Sequence, residues 1–148
     1  MKKANFLLTA VAVLSLWIIN MNSTTAQTNA NHLFHVNTWY MVPGLDSVAQ
    51  AEKDATLKEY FEKVDKKNQY IVHQWSMQHY YTDDSREYVT VSEYATWADI
   101  DKANERSGEL EKQAWPDAQK RKEFIKKMNS FFTTHKDAIY HGLPNLVK

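Results

Sequence analysis

From Leu33 to Val42 apolar and polar positions alternate, with Phe34, Val36, Thr38 and Tyr40 on one side and His35, Asn37, Trp39 and Met41 on the other. That period of two predicts a β-strand, and Pro43-Gly44 ends it with turn chemistry. The pattern then changes to a helical one. Ser47 with Gln50 three residues on forms a capping-box pattern, and Leu57, Phe61 and Val64 follow at helical spacing, so a helix is expected from Val48 to Lys66 and closed by Asn68.

Tyr70 to Ala95 reads as a β-hairpin around the polar tip Thr82-Asp83-Asp84-Ser85. A two- or four-residue loop at that tip sets His79 opposite Tyr88, Met77 opposite Thr90, Trp75 opposite Ser92 and His73 opposite Tyr94. On this register one face is bulky and half polar, while the other carries the small or β-branched Val72, Val89 and Val91, a surface suited to lie under helices. The helix stripe Phe124, Phe131 and Phe132 is therefore expected against Phe34, Val36, Val72, Val89 and Val91. His35, Asn37, Trp39, His73, Trp75, Met77, His79, Tyr88 and Tyr94 are expected to project together from the other face.

After the hairpin, Thr96 can cap a helix holding Trp97 and Ile100, with Ser107-Gly108 expected to interrupt it. Trp115-Pro116-Asp117 starts a further helix, whose apolar stripe runs through Phe124, Ile125, Met128, Phe131 and Phe132 to about His135. Ala138-Ile139-Tyr140 can add a short last strand. The order strand, helix, strand, strand, helical region, strand predicts an α+β, ferredoxin-like antiparallel sheet with helices on one face. A bare face of Trp, Met, His and Tyr is unfavourable in water, and the same face of a second copy is its simplest cover, so a homodimer is expected.

At this point the chain resembles the dimeric α+β barrel superfamily, which includes antibiotic-biosynthesis-type and haem-degrading monooxygenases. The resemblance is carried by His35-Val36-Asn37-Thr38-Trp39 running into Pro43-Gly44 and a helix, and by Glu93-Tyr94-Ala95-Thr96-Trp97 leaving the third strand. It covers about Phe34 to Tyr140 and implies a dimeric α+β barrel. The haem-degrading branch places an asparagine on its first strand, which Asn37 matches, and a tryptophan and a histidine on the helix after the third strand. The stretch Asp99 to Lys112 contains neither, so haem degradation is not implied and no cofactor is assigned.

Composition narrows the function classes. The chain has 148 residues and no cysteine, so disulfides, thiolate metal sites and a lipoprotein anchor are excluded. Met1-Lys2-Lys3, the apolar run Phe6 to Ile19 and the small residues before Gln27 read as a signal peptide over 1–26, too short in its apolar part to span a bilayer. The expected organisation is a leader (1–26), a disordered N-terminus (27–31) and one α+β domain (32–148) in a secreted or periplasmic protein with no membrane contact after cleavage. Loss of the leader takes Lys2 and Lys3 and no acid, leaving 16 basic against 18 acidic residues. That balance, without a clustered basic excess, argues against nucleic acid.

Among the chemistry-bearing residues, His73 and His79 lie six apart on one strand, about 20 Å along an extended chain, too far to share a metal ion. No metal site is expected. As single groups they can act as general bases or pack structurally beside tyrosine. Trp39, Trp75, Tyr88 and Tyr94 can line a pocket for a flat aromatic or sugar-like ligand, or fill a dimer core. Two functions follow. In the first, the protein is a small-molecule-binding barrel, a candidate cofactor-independent monooxygenase, with Asn37, His73 and His79 catalytic and Trp39, Trp75, Tyr88 and Tyr94 binding the ligand. In the second, it is an accessory or interaction protein whose aromatic face is only a homodimer core. An open cavity of a few hundred Å³ separates the first from the second.

Overall fold

The computed structural model describes residues 31–81 and 83–143. The expected leader and the segment 27–30 lie outside them. Strand β1 (Leu33–Met41) ends in a turn at Gly44, whose φ of 75° is a conformation glycine adopts without a Cβ clash. Helix α1 (Ser47–Lys63) follows and passes into a 3₁₀ turn at Asp65–Lys67. Asp46, not Ser47, caps α1, accepting from the Ala49 amide at 2.8 Å. Strands β2 (His73–Gln78) and β3 (Glu87–Tyr94) form the hairpin, then come α2 (Trp97–Ala114), α3 (Ala118–Asn129) and β4 (Phe132–His141).

The four strands pair antiparallel in the order β2-β3-β1-β4, the split βαβ arrangement of a ferredoxin-like sheet. The fold class is the expected one, with longer and shorter elements than the pattern suggested. Helix α2 runs unbroken through Ser107-Gly108. Helix α3 stops at Asn129, and Phe132 to His141 form a full ten-residue strand on the far side of β1 instead of a short terminal one.

The hairpin register differs from the expected one by one residue. His73 pairs with Glu93, Trp75 with Val91 and Met77 with Val89, while Gln78 faces Tyr88. Asp84 sets this at the tip, its carboxylate accepting from the Arg86 amide at 2.9 Å and from the Arg86 guanidinium at 2.7 Å and 3.0 Å, so the turn closes toward β3. A slip of one residue moves every side chain of β2 to the opposite face.

The helices also cover the face expected to be bare. His35, Asn37 and Trp39 of β1 pair with Ser92, Thr90 and Tyr88 of β3, and with Gln74 and Ser76 they lie under α1 and α2. Phe34, Val36, Val89 and Val91 point the other way, together with Trp75 and Met77, which are 43% and 48% exposed. The bulky, half-polar face is tolerable under helices because the helices bring polar groups to it. Tyr60, Asp65 and Glu111 reach inward, and Gln74 donates to Asp65 at 2.8 Å.

Packing between the layers is concentrated away from that polar middle. Val64, Ala103, Leu110 and Phe131 are buried. Phe124 stacks on Trp115 at 4.1 Å between ring centroids instead of meeting the sheet valines. Asn68, itself buried, ties the 3₁₀ turn to α2 by donating to the Ala103 carbonyl at 2.8 Å and to Ser107 Oγ at 3.0 Å.

Candidate functional site

Period-two alternation in β1 and β3 puts Asn37, Trp39, Tyr88 and Tyr94 on one surface, and the helices leave a cavity of about 500 Å³ above it. Its floor adds His35, Ser76, Thr90 and Ser92. The roof comes from Leu57, Tyr60 and Phe61 of α1 and Asn104, Ser107, Gly108 and Glu111 of α2, with Met128 and Asn129 at the end of α3. A Cβ built on Gly108 meets no atom within 4 Å, so the glycine leaves space over the floor instead of closing a tight contact.

Trp39 is fixed edge and face. Phe132 lies 5.5 Å from its ring and His135 stacks on it at 4.4 Å, so the indole is held rigid on the β1–β4 side of the site. Tyr88 packs at 5.7 Å from the same Phe132. Burial holds the hydroxyls of Tyr88 and Tyr94 above the usual phenol range, with Ser76 and Ser92 hydrogen bonds opposing it, so both remain neutral donors at physiological pH.

The acidic wall is the part that sequence reasoning missed. Tyr60 Oη donates to Glu111 Oε1 at 2.8 Å, and burial together with that carboxylate drives the Tyr60 hydroxyl far above its ordinary value. Asp65 is pushed up to about 6, first by burial and then by the charge of Glu111, against the lowering effect of the Gln74 hydrogen bond. A signal was present in the sequence: Asn104, Ser107, Gly108 and Glu111 recur at helical spacing and so form a small and polar stripe, which marks an inward face if the sheet beneath it is polar.

The structure does not gather all the expected site residues. His73 and Trp75 lie on the opposite sheet face, their rings 5.6 Å apart, and take no part in the cavity. His79 follows β2, its amide bonded to the Glu87 carbonyl at 3.0 Å, and is absent from the cavity lining. On that opposite face the buried Glu93 carboxylate is held by two imidazoles, His32 Nδ1 at 2.5 Å from Oε1 and His73 Nδ1 at 2.7 Å from Oε2. Among the described residues no three His, Asp or Glu side chains are placed so that they could hold a metal ion together. None of their helices is long and apolar enough to cross a membrane.

No protein-family model matches the chain, and no curated protein matches it. Solved structures do. A mutant of SnoaB, a cofactor-independent oxygenase from Streptomyces nogalater, is 11% identical with a TM-score of 0.50 over 75% of this chain and 92% of that one. A putative antibiotic biosynthesis monooxygenase from Caulobacter crescentus is 10% identical with a TM-score of 0.52, covering 77% and 92%. A dimeric ferredoxin-like protein from an uncultured marine organism is 9% identical with a TM-score of 0.54, covering 83% and 97%. At that identity the likeness is one of architecture, and the chain has the ferredoxin-like α+β fold that these oxygenase-type and dimeric proteins share.

Proposed function

We propose that this is an exported small-molecule-binding α+β barrel protein whose ligand occupies the cavity between sheet and helices, and that its chemistry is cofactor-independent oxygenation. The observation that carries the reading is the cavity itself: about 500 Å³, walled by aromatic rings with a few convergent amides and hydroxyls, the composition of a small-ligand site. The reaction class is taken from the fold likeness to SnoaB. In this reading Trp39 and Tyr88 provide flat apolar surface for a ring, the Asn37 amide offers one donor and one acceptor to orient it, and Tyr94 closes the buried end. Export is supported by Met1-Lys2-Lys3 and the apolar run Phe6 to Ile19.

His73 and Trp75 then have a different task. With Phe34, Val36, Met77, Val89 and Val91 they form the apolar outer sheet face, and we assign that face to a second copy of the chain. The marine ferredoxin-like protein is described as dimeric, which supports this arrangement.

Native mass spectrometry of protein recovered from its source organism tests the ligand reading. The expected result is a dimer carrying a small molecule that is lost in a folded Thr90→Trp variant, which fills the cavity floor. Returning the extracted molecule to the protein in air should consume oxygen. Recovery of ligand-free dimers that take up no aromatic compound would instead favour the purely structural role.

A further inference from the structure

Asp65 stands where the 3₁₀ turn leaves α1 and lines the cavity. Gln74 Nε2 holds its Oδ2 at 2.8 Å, while Oδ1 has no hydrogen-bond partner among the described residues. No lysine or arginine lines the cavity. The titratable groups that act on Asp65 or feel it are Glu111 of α2, Tyr60 of α1, and Tyr88 and Tyr94 of β3, all acids, and His35 of β1 is the single imidazole in the lining. A carboxylate serving an ion pair would face a cation, and none lines the cavity. This one is aimed by an amide, and its other oxygen is accessible from the cavity.

We propose that Asp65 is the proton acceptor of the cavity, with Oδ1 taking the hydrogen bond, and in turnover the proton, of a ring hydroxyl on a flat neutral ligand. Gln74 is the positioning residue that aims the carboxylate. In the step itself the ligand O–H bond breaks, an O–H bond forms at Oδ1, and the electron pair stays on the ligand oxygen as an aryloxide. No oxidant enters it. Asn37, Ser76, Thr90, Ser92 and Asn104 present uncharged donors and acceptors around aromatic surface, the two carboxylates of the lining disfavour an anion, and Tyr60 already donates to Glu111, which leaves Asp65 as the open acceptor for a ring hydroxyl. A carboxyl titrating near neutrality is also suited to general-base work, being mostly ionised at physiological pH yet basic enough to take a proton.

The inference rests on the cavity being the ligand site, and three probes separate the two. Isothermal titration calorimetry would compare 2-naphthol, its methyl ether and 2-naphthylmethylammonium on the whole protein at pH 8 and pH 5. At pH 8 the naphthol should bind about tenfold tighter than the ether, the margin of a hydrogen bond to a charged acceptor. That preference should collapse at pH 5 and in Asp65→Asn at both pH values. In Gln74→Met the midpoint of the pH dependence should move upward, since the Gln74 bond is what lowers Asp65. A preference that survives Asp65→Asn, or a tighter ammonium complex, would overturn the assignment. Equal binding of naphthol and ether would remove Asp65 and leave the cavity standing, whereas no binding of any probe would remove the cavity as a ligand site and Asp65 with it.

Discussion

At the scale of single residues, Asp65 makes a stability prediction that does not depend on any ligand. Its carboxyl titrates at about 6 in the fold against an ordinary 3.8, so the folded state binds the proton more tightly than the unfolded one. Its contribution is therefore most favourable below about pH 4 and is lost as pH rises through 6. Asp65→Asn removes that titration and should stabilise the protein by up to about 3 kcal/mol at pH 8 and very little at pH 4. Denaturant unfolding at the two pH values checks it, and an equal effect at both would contradict the burial argument. Lys53 is a second residue that the sequence disguised. In a helix rich in charge it reads as surface, yet it is fully buried, its Nζ 3.3 Å from Met41 Sδ and 3.2 Å from Gln78 Oε1, with an exposed Asp54 carboxylate at 3.3 Å. The long stem fills core space that a leucine or methionine could also occupy. Lys53→Met is expected to leave thermal stability within about 1 kcal/mol of the parent, because desolvation offsets most of what the ammonium gains.

At the scale of elements, the pattern of β1 and β3 was legible because both strands alternate strictly and pair without a slip over their shared length. Strand β2 was not, since its tip admits loops that differ by one residue and the choice rests on Asp84 bonding Arg86, a local contact with no periodic signature. Helix α2 was expected to break at Gly108. A single glycine costs a helix only about 1 kcal/mol, and the adjacent turn is held by Asn68 through Ser107 and the Ala103 carbonyl. Asn68 also accepts from the Tyr70 amide at 3.2 Å, so one buried side chain joins the 3₁₀ turn, the start of the hairpin and α2. Asn68→Ala should cost about 2 to 3 kcal/mol, the sum of lost bonds and stranded polar groups. Hydrogen exchange should quicken first at Tyr70, whose amide bonds the Asn68 side chain. Uniform loss of protection across the sheet would mean that Asn68 acts on global stability alone.

At the scale of the whole molecule, the order of elements was readable from pattern, but which sheet face lies inward was not. Apolarity could not decide it, because the outer face offers Phe34, Val36, Trp75, Met77, Val89 and Val91 while the inner face carries aromatic rings among polar groups. The outer face makes the assembly testable. The parent should scatter light as a dimer at micromolar concentration and Trp75→Glu as a folded monomer with the cavity residues untouched; a monomeric parent would remove the second copy from the reading. Mass analysis of the N-terminus should find Gln27 first, and intact Met1 in a washed membrane fraction would contradict export. The Glu93 clasp gives that same outer face a chemical polarity. An ionised carboxylate can only accept, so each imidazole bonded to it must carry a proton on Nδ1, in the neutral and the charged form alike. With Nδ1 committed to Glu93, Nε2 is the ring nitrogen that the exposed His73 has left to offer a docking partner.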